Sequence, residues 1–273
     1  MAPHSLSFVP ICLLFLLLVT LGISYMIAVM NGDVAKIFPY ISDTGGKPPE
    51  SCIFGQFVNF SALIFLILVY IRYKEVDSIE GLPPREVATL NKIGSFVGLT
   101  SVIGLSMVGN FQDTNMLIVH ELAAAVLFLC ATGYCILHTR ITYVLWPEYS
   151  RLVTCRVRLL LSALMVLSFL TCMVGKIIAA FQWAQHHNAK DTQAHWKPTD
   201  GGYTSHIVSA AFEWALAVTF GLFCLSFYTE FRHVWLELTM FQRPDHFPAI
   251  APCNAGRRGR ERAPPNERTP LYA

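Results

Sequence analysis

The sequence predicts an all-α membrane protein, a six-transmembrane-helix bundle with both termini cytosolic, and three observations lead there. Six apolar blocks of about twenty residues alternate with short polar connections. Of 273 residues, 54% are hydrophobic and only 14% charged. Lys and Arg gather on one set of connections. A bilayer core about 30 Å thick takes about 20 residues of helix to cross, and a helix satisfies its own backbone groups inside lipid. A soluble surface would need about 25% charged residues, so this composition excludes a soluble domain.

The first block, Phe8–Met30, lacks a basic leader and a small-x-small cleavage site. It is therefore expected to stay as an uncleaved anchor. The second, Cys52–Ile71, leaves the membrane through Arg72 and Lys74. The third, Ile93–Val108, carries Gly94, Gly98 and Gly104, with Gly109 just beyond. Gly94 and Gly98 stand in the small-xxx-small spacing that lets helices approach closely in lipid; bundle packing is the first expectation and a homodimer face the second. The connection 109–115 is short enough to make spans three and four a tight hairpin, with the fourth block at Met116–Leu137. The fifth, Val157–Phe181, follows Arg156, and the sixth is Ile207–Tyr228. Residues 1–240 thus form one membrane domain. Residues 241–273 are proline-rich and basic, with the cluster Arg257–Arg262, and are expected to be a disordered cytosolic tail.

The sidedness follows from Lys/Arg bias. Connections 72–92 and 138–156, with Arg158 and the segment 229–273, hold 15 Lys/Arg, whereas Lys36, Lys47, Lys190 and Lys197 stand on the opposite side. The basic side is therefore expected to face the cytosol. Of the eight cysteines, most lie within apolar runs and are expected to be small buried hydrophobes. Cys155, beside Arg156, is a candidate for S-acylation. Aromatics near the ends of the spans (Trp183, Trp196 and Tyr203 on one side, Tyr143, Trp146, Tyr149 and Trp235 on the other) fit an interfacial belt. The non-cytosolic connections hold His186, His187, His195 and His206. They are expected to be ordinary exposed histidines, a pH-responsive surface being the alternative.

Charge inside the spans is sparse and therefore informative, because an unpaired charge in lipid is costly. Glu121, Lys176 and Glu213 fall within about one helical turn of a common depth near the non-cytosolic end. Asn59 has a similar depth, with His120 and His206 nearby. Two arrangements stay open: an ion pair of Lys176 with Glu213 or Glu121, or a water-filled vestibule leading to an ion or lipid path. The first non-cytosolic connection is rigid by composition: Pro39, Tyr40, Ile41, Ser42, Asp43, Thr44 and Gly45, then Pro49 and Glu50 leading into span two. Pro39 fixes a torsion, Asp43 is expected to close an Asx turn, and Gly45-Gly46 to supply positive φ.

Sequence signatures of catalysis are absent: no GxSxG, P-loop or HExxH occurs. No metal, cofactor or nucleic-acid partner is expected. The match to N-x-S/T at Asn59-Phe60-Ser61 lies inside a span and is expected to stay unglycosylated.

The stretch 39–55 resembles the damage-regulated autophagy modulator (DRAM) family, within the broader transmembrane-150 group. Asn59-Phe60-Ser61-Ala62, Tyr70-Ile71-Arg72-Tyr73-Lys74, Asn110-Phe111-Gln112 with His120, and Trp196-Lys197-Pro198 through Glu213-Trp214 follow in the family's order. Leu90-Asn91-Lys92 and Asn266-Glu267-Arg268-Thr269 look closest to its second paralogue. Lys176 and the Arg- and Pro-rich insertion in the tail depart from the pattern. The resemblance implies a non-enzymatic lysosomal or late-endosomal protein that promotes autophagy, with a link to apoptosis. Expected partners are the lipid bilayer, other membrane or cytosolic proteins, and anionic lipid at Arg257–Arg262. Glu267 and Leu271 resemble an acidic sorting signal in which Tyr272 replaces the second leucine; endoplasmic reticulum, Golgi and plasma membrane are the alternative locations. An ion channel, ion-coupled transporter or lipid-moving protein is the alternative function, and a scaffold or sorting adaptor a third.

Overall fold

A computed structural model describes residues 5–79, 85–186 and 196–235. The tail signals at Arg257–Arg262, Glu267 and Leu271, and the histidines His187 and His195, lie outside the described residues.

Six long helices carry the described chain: α1 (Phe8–Asn31), α2 (Glu50–Asp77), α3 (Arg85–Asn110), α4 (Asp113–Val144), α5 (Leu152–His186) and α6 (Tyr203–Leu225). A one-turn helix, α7 (Tyr228–Phe231), continues α6 after a brief break. All six are long and apolar enough to cross a membrane. Each extends beyond its apolar block at one or both ends, α5 by several residues on either side, because a helix does not stop where hydropathy does. It stops at a cap. At α1 the stop is Gly32, whose φ of 76° lets its N–H reach Val29 O at 3.2 Å while Asp33 N–H reaches Ala28 O at 2.8 Å.

The helices pack in chain order, each on the next, and α6 closes back on α1. The result is a ring of six. At one end, here the terminal end, Leu6 N–H donates to Val234 O at 3.1 Å and Ser5 bridges Trp235. The connections after α1, α3 and α5 lie at the other end, the lid end.

Small residues set the helix spacing. A Cβ on Gly104 would stand 2.8 Å from the Leu127 backbone, and one on Gly55 would stand 2.6 Å from Gly109 O. Gly94 and Gly98 face His138 and Tyr134 of α4. Their spacing therefore packs α3 within the ring. The centre is filled by Leu13, Phe65, Leu68, Tyr134, Met165, Leu216 and Phe223, all wholly buried. The outside is apolar too: Phe15, Met26, Phe96, Ile118 and Ile177 are more than half exposed. Large apolar side chains on both faces suit a helix with lipid on its outer side.

Two expectations give way here. Cys155 is wholly buried, with Sγ 3.6 Å from Thr142 O, and is out of reach of S-acylation. Trp183 and Trp196 are buried against each other, ring centroids 4.5 Å apart, instead of standing in an exposed belt. Trp146, Tyr149 and Trp235 are exposed, as a belt requires.

Candidate functional site

The connection between α1 and α2 folds down onto the lid end of the ring. Phe38 takes the strained φ of 39°, turning the chain inward so that Tyr40 and Ile41 are buried. Asp43–Gly45 then form a single 3₁₀ turn. Gly45 and Gly46 have no positive φ; their role is space. A Cβ on Gly45 would lie 2.6 Å from the Phe54 ring, and one on Gly46 2.9 Å from Thr114. No Asx turn forms either, because Asp43 turns its carboxyl toward Asp113.

Tethers reach this lid from the surrounding helices. Glu213 Oε2 of α6 accepts the Ile41 N–H at 2.8 Å, and Trp214 Nε1 donates to Pro39 O at 2.9 Å. From α4, the Thr114 hydroxyl donates to Gly46 O at 2.7 Å. From α1, Ser24 Oγ lies 3.0 Å from Thr44 Oγ1, which also donates to Ile41 O. Phe54 of α2 packs beneath Gly45. Pro49 is exposed, whereas Glu50 is wholly buried and accepts from Asn31 at 3.4 Å.

The sparse intramembrane charges meet around this lid. Lys176 Nζ of α5 contacts both oxygens of Glu121 at 2.7 and 2.8 Å and lies 4.9 Å from the centre of the Tyr40 ring. Of the two carboxylates open to Lys176 in the sequence, the structure pairs it with Glu121. Glu213 holds the lid backbone instead and has no ion-pair partner within 4 Å among the described residues. His206, expected to be exposed, is buried instead: it stacks on Trp196 at 4.5 Å and meets the Tyr40 ring edge-on at 4.7 Å. His120 Nδ1 lies 2.7 Å from Phe111 O. A carbonyl only accepts, so Nδ1 carries the proton and Nε2 is left as an acceptor. Asn59 stands apart, bonded to Ser106 and Asn110 across the α2–α3 contact.

Electrostatics at the lid favour the protonated forms. Burial, and then the carboxyl of Asp113 hydrogen-bonded to it, push Asp43 well above the usual carboxylate range. Burial likewise raises the Tyr40 phenol. Beneath the lid lies a partly enclosed cavity of about 80 Å³. Thr20, Ser42, His120 and Glu213 supply its few polar groups, and Phe54, Leu105, Leu127 and Phe220 are among its apolar walls.

At the terminal end the structure shows a second polar cluster, built on two arginines that in the sequence count only toward the Lys/Arg bias. Arg158 is wholly buried. It pairs with Glu230 at 2.7 Å and donates to Thr142 Oγ1, Ser226 Oγ and Ser226 O. Arg72 is almost as buried and pairs with Glu75 at 2.9 Å. Both guanidinium groups lie over the Phe227 ring, at 4.4 and 4.9 Å from its centroid. The one available sequence signal was Arg158 itself, standing between Val157 and Leu159-Leu160-Leu161.

The Frag1/DRAM/Sfk1/Cwh43P N-terminal domain matches residues 5–234. DNA damage-regulated autophagy modulator protein 2 of Rattus norvegicus is 33% identical over 276 residues, 99% of this chain and 97% of that protein. DNA damage-regulated autophagy modulator protein 1 of Homo sapiens is 32% identical over 236 residues, covering 86% and 95%. The modulator of macroautophagy TMEM150B-B of Xenopus laevis is 32% identical over 145 residues, covering 52% and 61%. No solved structure gives a significant match.

Proposed function

The chain belongs to the Frag1/DRAM/Sfk1/Cwh43P family, and on that premise we propose that it is a non-enzymatic lysosomal or late-endosomal membrane protein that modulates autophagy, with a link to apoptosis. The observation that carries this reading is similarity over almost the whole length to proteins named as autophagy modulators. The Lys/Arg bias supports placing the terminal end in the cytosol and the lid in the lumen. The lid is the surface best suited to contact a partner protein or lipid, since tethers from the surrounding helices hold its shape before any partner arrives. The tail cluster Arg257–Arg262 is proposed to add anionic-lipid contact on the cytosolic side.

Ion conduction is the less favoured reading. Lys176 is already paired, and below the cavity the ring is filled by Leu13, Phe65, Leu68 and Phe223. Deleting the gene should slow autophagic flux in starved cells, and wild-type protein should restore it. Unchanged flux on deletion would overturn the reading. Purified protein in liposomes, with Glu213→Gln as control, should pass no ions; a flux that the substitution abolishes would favour the transport reading instead.

A further inference from the structure

The cavity under the lid has a one-sided chemistry. Its walls are almost wholly apolar, and at its polar end His120 and Glu213 present hydrogen-bond acceptors beside the Ser42 hydroxyl, which can donate or accept. His120 Nε2 is an acceptor because Nδ1 is committed to Phe111 O. Glu213 uses one oxygen for the Ile41 N–H and has no cation within 4 Å among the described residues. The Thr20 hydroxyl donates away from the cavity, to Leu16 O at 2.6 Å. Glu121 is matched by the ammonium of Lys176, and Asp43 is held protonated against Asp113, so Glu213 is the carboxyl that lines the cavity. A buried carboxylate without a counter-ion is costly, and a cation placed beside it recovers much of that cost.

We propose that this cavity binds an amphiphile with an alkyl chain and a protonated amine head, the head on Glu213 and the first carbons among Phe54, Leu105, Leu127 and Phe220. The volume fits the head and the start of a chain. It is about half that of an engineered 150 Å³ cavity that admits benzene, so the rest of the chain follows the open side of the cavity. An alcohol head would satisfy the acceptors but not the charge, and a fatty acid would set a second carboxyl beside Glu213. The assignment stands on the cavity alone and is independent of the role in autophagy.

The test uses the full chain in phosphatidylcholine nanodiscs, with dodecylamine, dodecanol and dodecanoic acid compared at equal concentration by the thermal midpoint of tryptophan fluorescence. Dodecylamine should raise the midpoint saturably and dodecanoic acid should not. Glu213→Gln keeps an acceptor for the Ile41 N–H but removes the charge, and should weaken the amine about tenfold, the worth of one charge-assisted contact. Ala217→Phe, or Ala124→Leu from the α4 wall, should abolish the effect by filling the space. A diazirine-bearing dodecylamine should label residues of the cavity wall in the wild-type chain, which keeps the test decisive even if the filled variants misfold. Equal effects of amine and acid, an amine effect indifferent to Glu213→Gln, or labelling confined to the outer helix faces would each overturn the assignment.

Discussion

Removing either partner of the Arg158–Glu230 pair is expected to destabilise the bundle, and by unequal amounts. Breaking a buried ion pair costs about 3–5 kcal/mol because the surviving charge is left uncompensated. The two survivors differ here. Glu230 without Arg158 keeps the Thr229 hydroxyl at 2.9 Å and has a side chain 17% exposed. Arg158→Met should therefore lie at the lower end, about 3 kcal/mol. Arg158 without Glu230 is a wholly buried guanidinium left with two hydroxyl oxygens, one carbonyl and the Phe227 ring. Glu230→Leu should lie at the upper end, about 5 kcal/mol. The double variant removes both charges together and should be more stable than Glu230→Leu alone. Equilibrium unfolding in mixed micelles, followed by tryptophan fluorescence, measures all three. The reasoning fails if both single variants cost under about 1 kcal/mol, or if Arg158→Met is the worse of the two.

The lid should be sensitive to pH in a defined direction. Asp43 titrates well above the ordinary value of about 3.9, so the folded state holds a proton that the unfolded state has already released. That contribution is complete below about pH 4 and is lost as pH rises through the raised value. Asp43→Asn should match wild type at pH 4 and exceed it in thermal midpoint at neutral pH; curves that stay parallel would refute this. Accessibility should separate the cysteines: Cys52 is exposed and should react with an impermeant maleimide added from the lid side, whereas buried Cys155 should react only after denaturation. Labelling of Cys52 from the cytosolic side would overturn the proposed orientation.

Hydropathy made the six spans legible: five blocks are each long enough to cross a bilayer, and the 16-residue block Ile93–Val108 reaches that length only as part of the 26-residue helix α3. Helix ends were less so, because hydropathy reports lipid contact and Gly32 reports the stop. Depth alone set Glu121, Lys176 and Glu213 at one height without choosing which carboxyl Lys176 meets, and in the fold Lys176 lies 2.7 Å from Glu121. That choice depends on the lid backbone, which occupies Glu213 from 172 residues away in sequence. For Asn59 depth fixes height and not azimuth, and its face of α2 turns to Ser106. Gly45 and Gly46 were recognised as necessary for the wrong reason: room against Phe54 and Thr114 is invisible without the fold. Arg72 and Arg158 were concealed by their position. An arginine at a membrane boundary is ordinarily a snorkelling surface group, and only the burial of Phe227 beneath both shows otherwise.

Helix α6 is the element that both clusters share. Near its middle Glu213 and Trp214 hold the lid, and just past its C-terminal end Ser226 and Glu230 hold Arg158. The 13 residues from Glu213 to Ser226 correspond to about 20 Å of helix. If the two anchor points act independently, Glu213→Gln and Arg158→Met should add within about 0.5 kcal/mol, as separated sites do. The close packing of Gly221 on Leu14 fixes the helix between them, that of Gly175 on Ser209 fixes it just before Glu213, and both favour that outcome. A coupling above about 1 kcal/mol would instead require α6 to shift as a rigid rod, releasing the lid when the terminal end is cut. Additivity is expected, and with it a lid whose response to ligand or pH stays on its own side of the membrane.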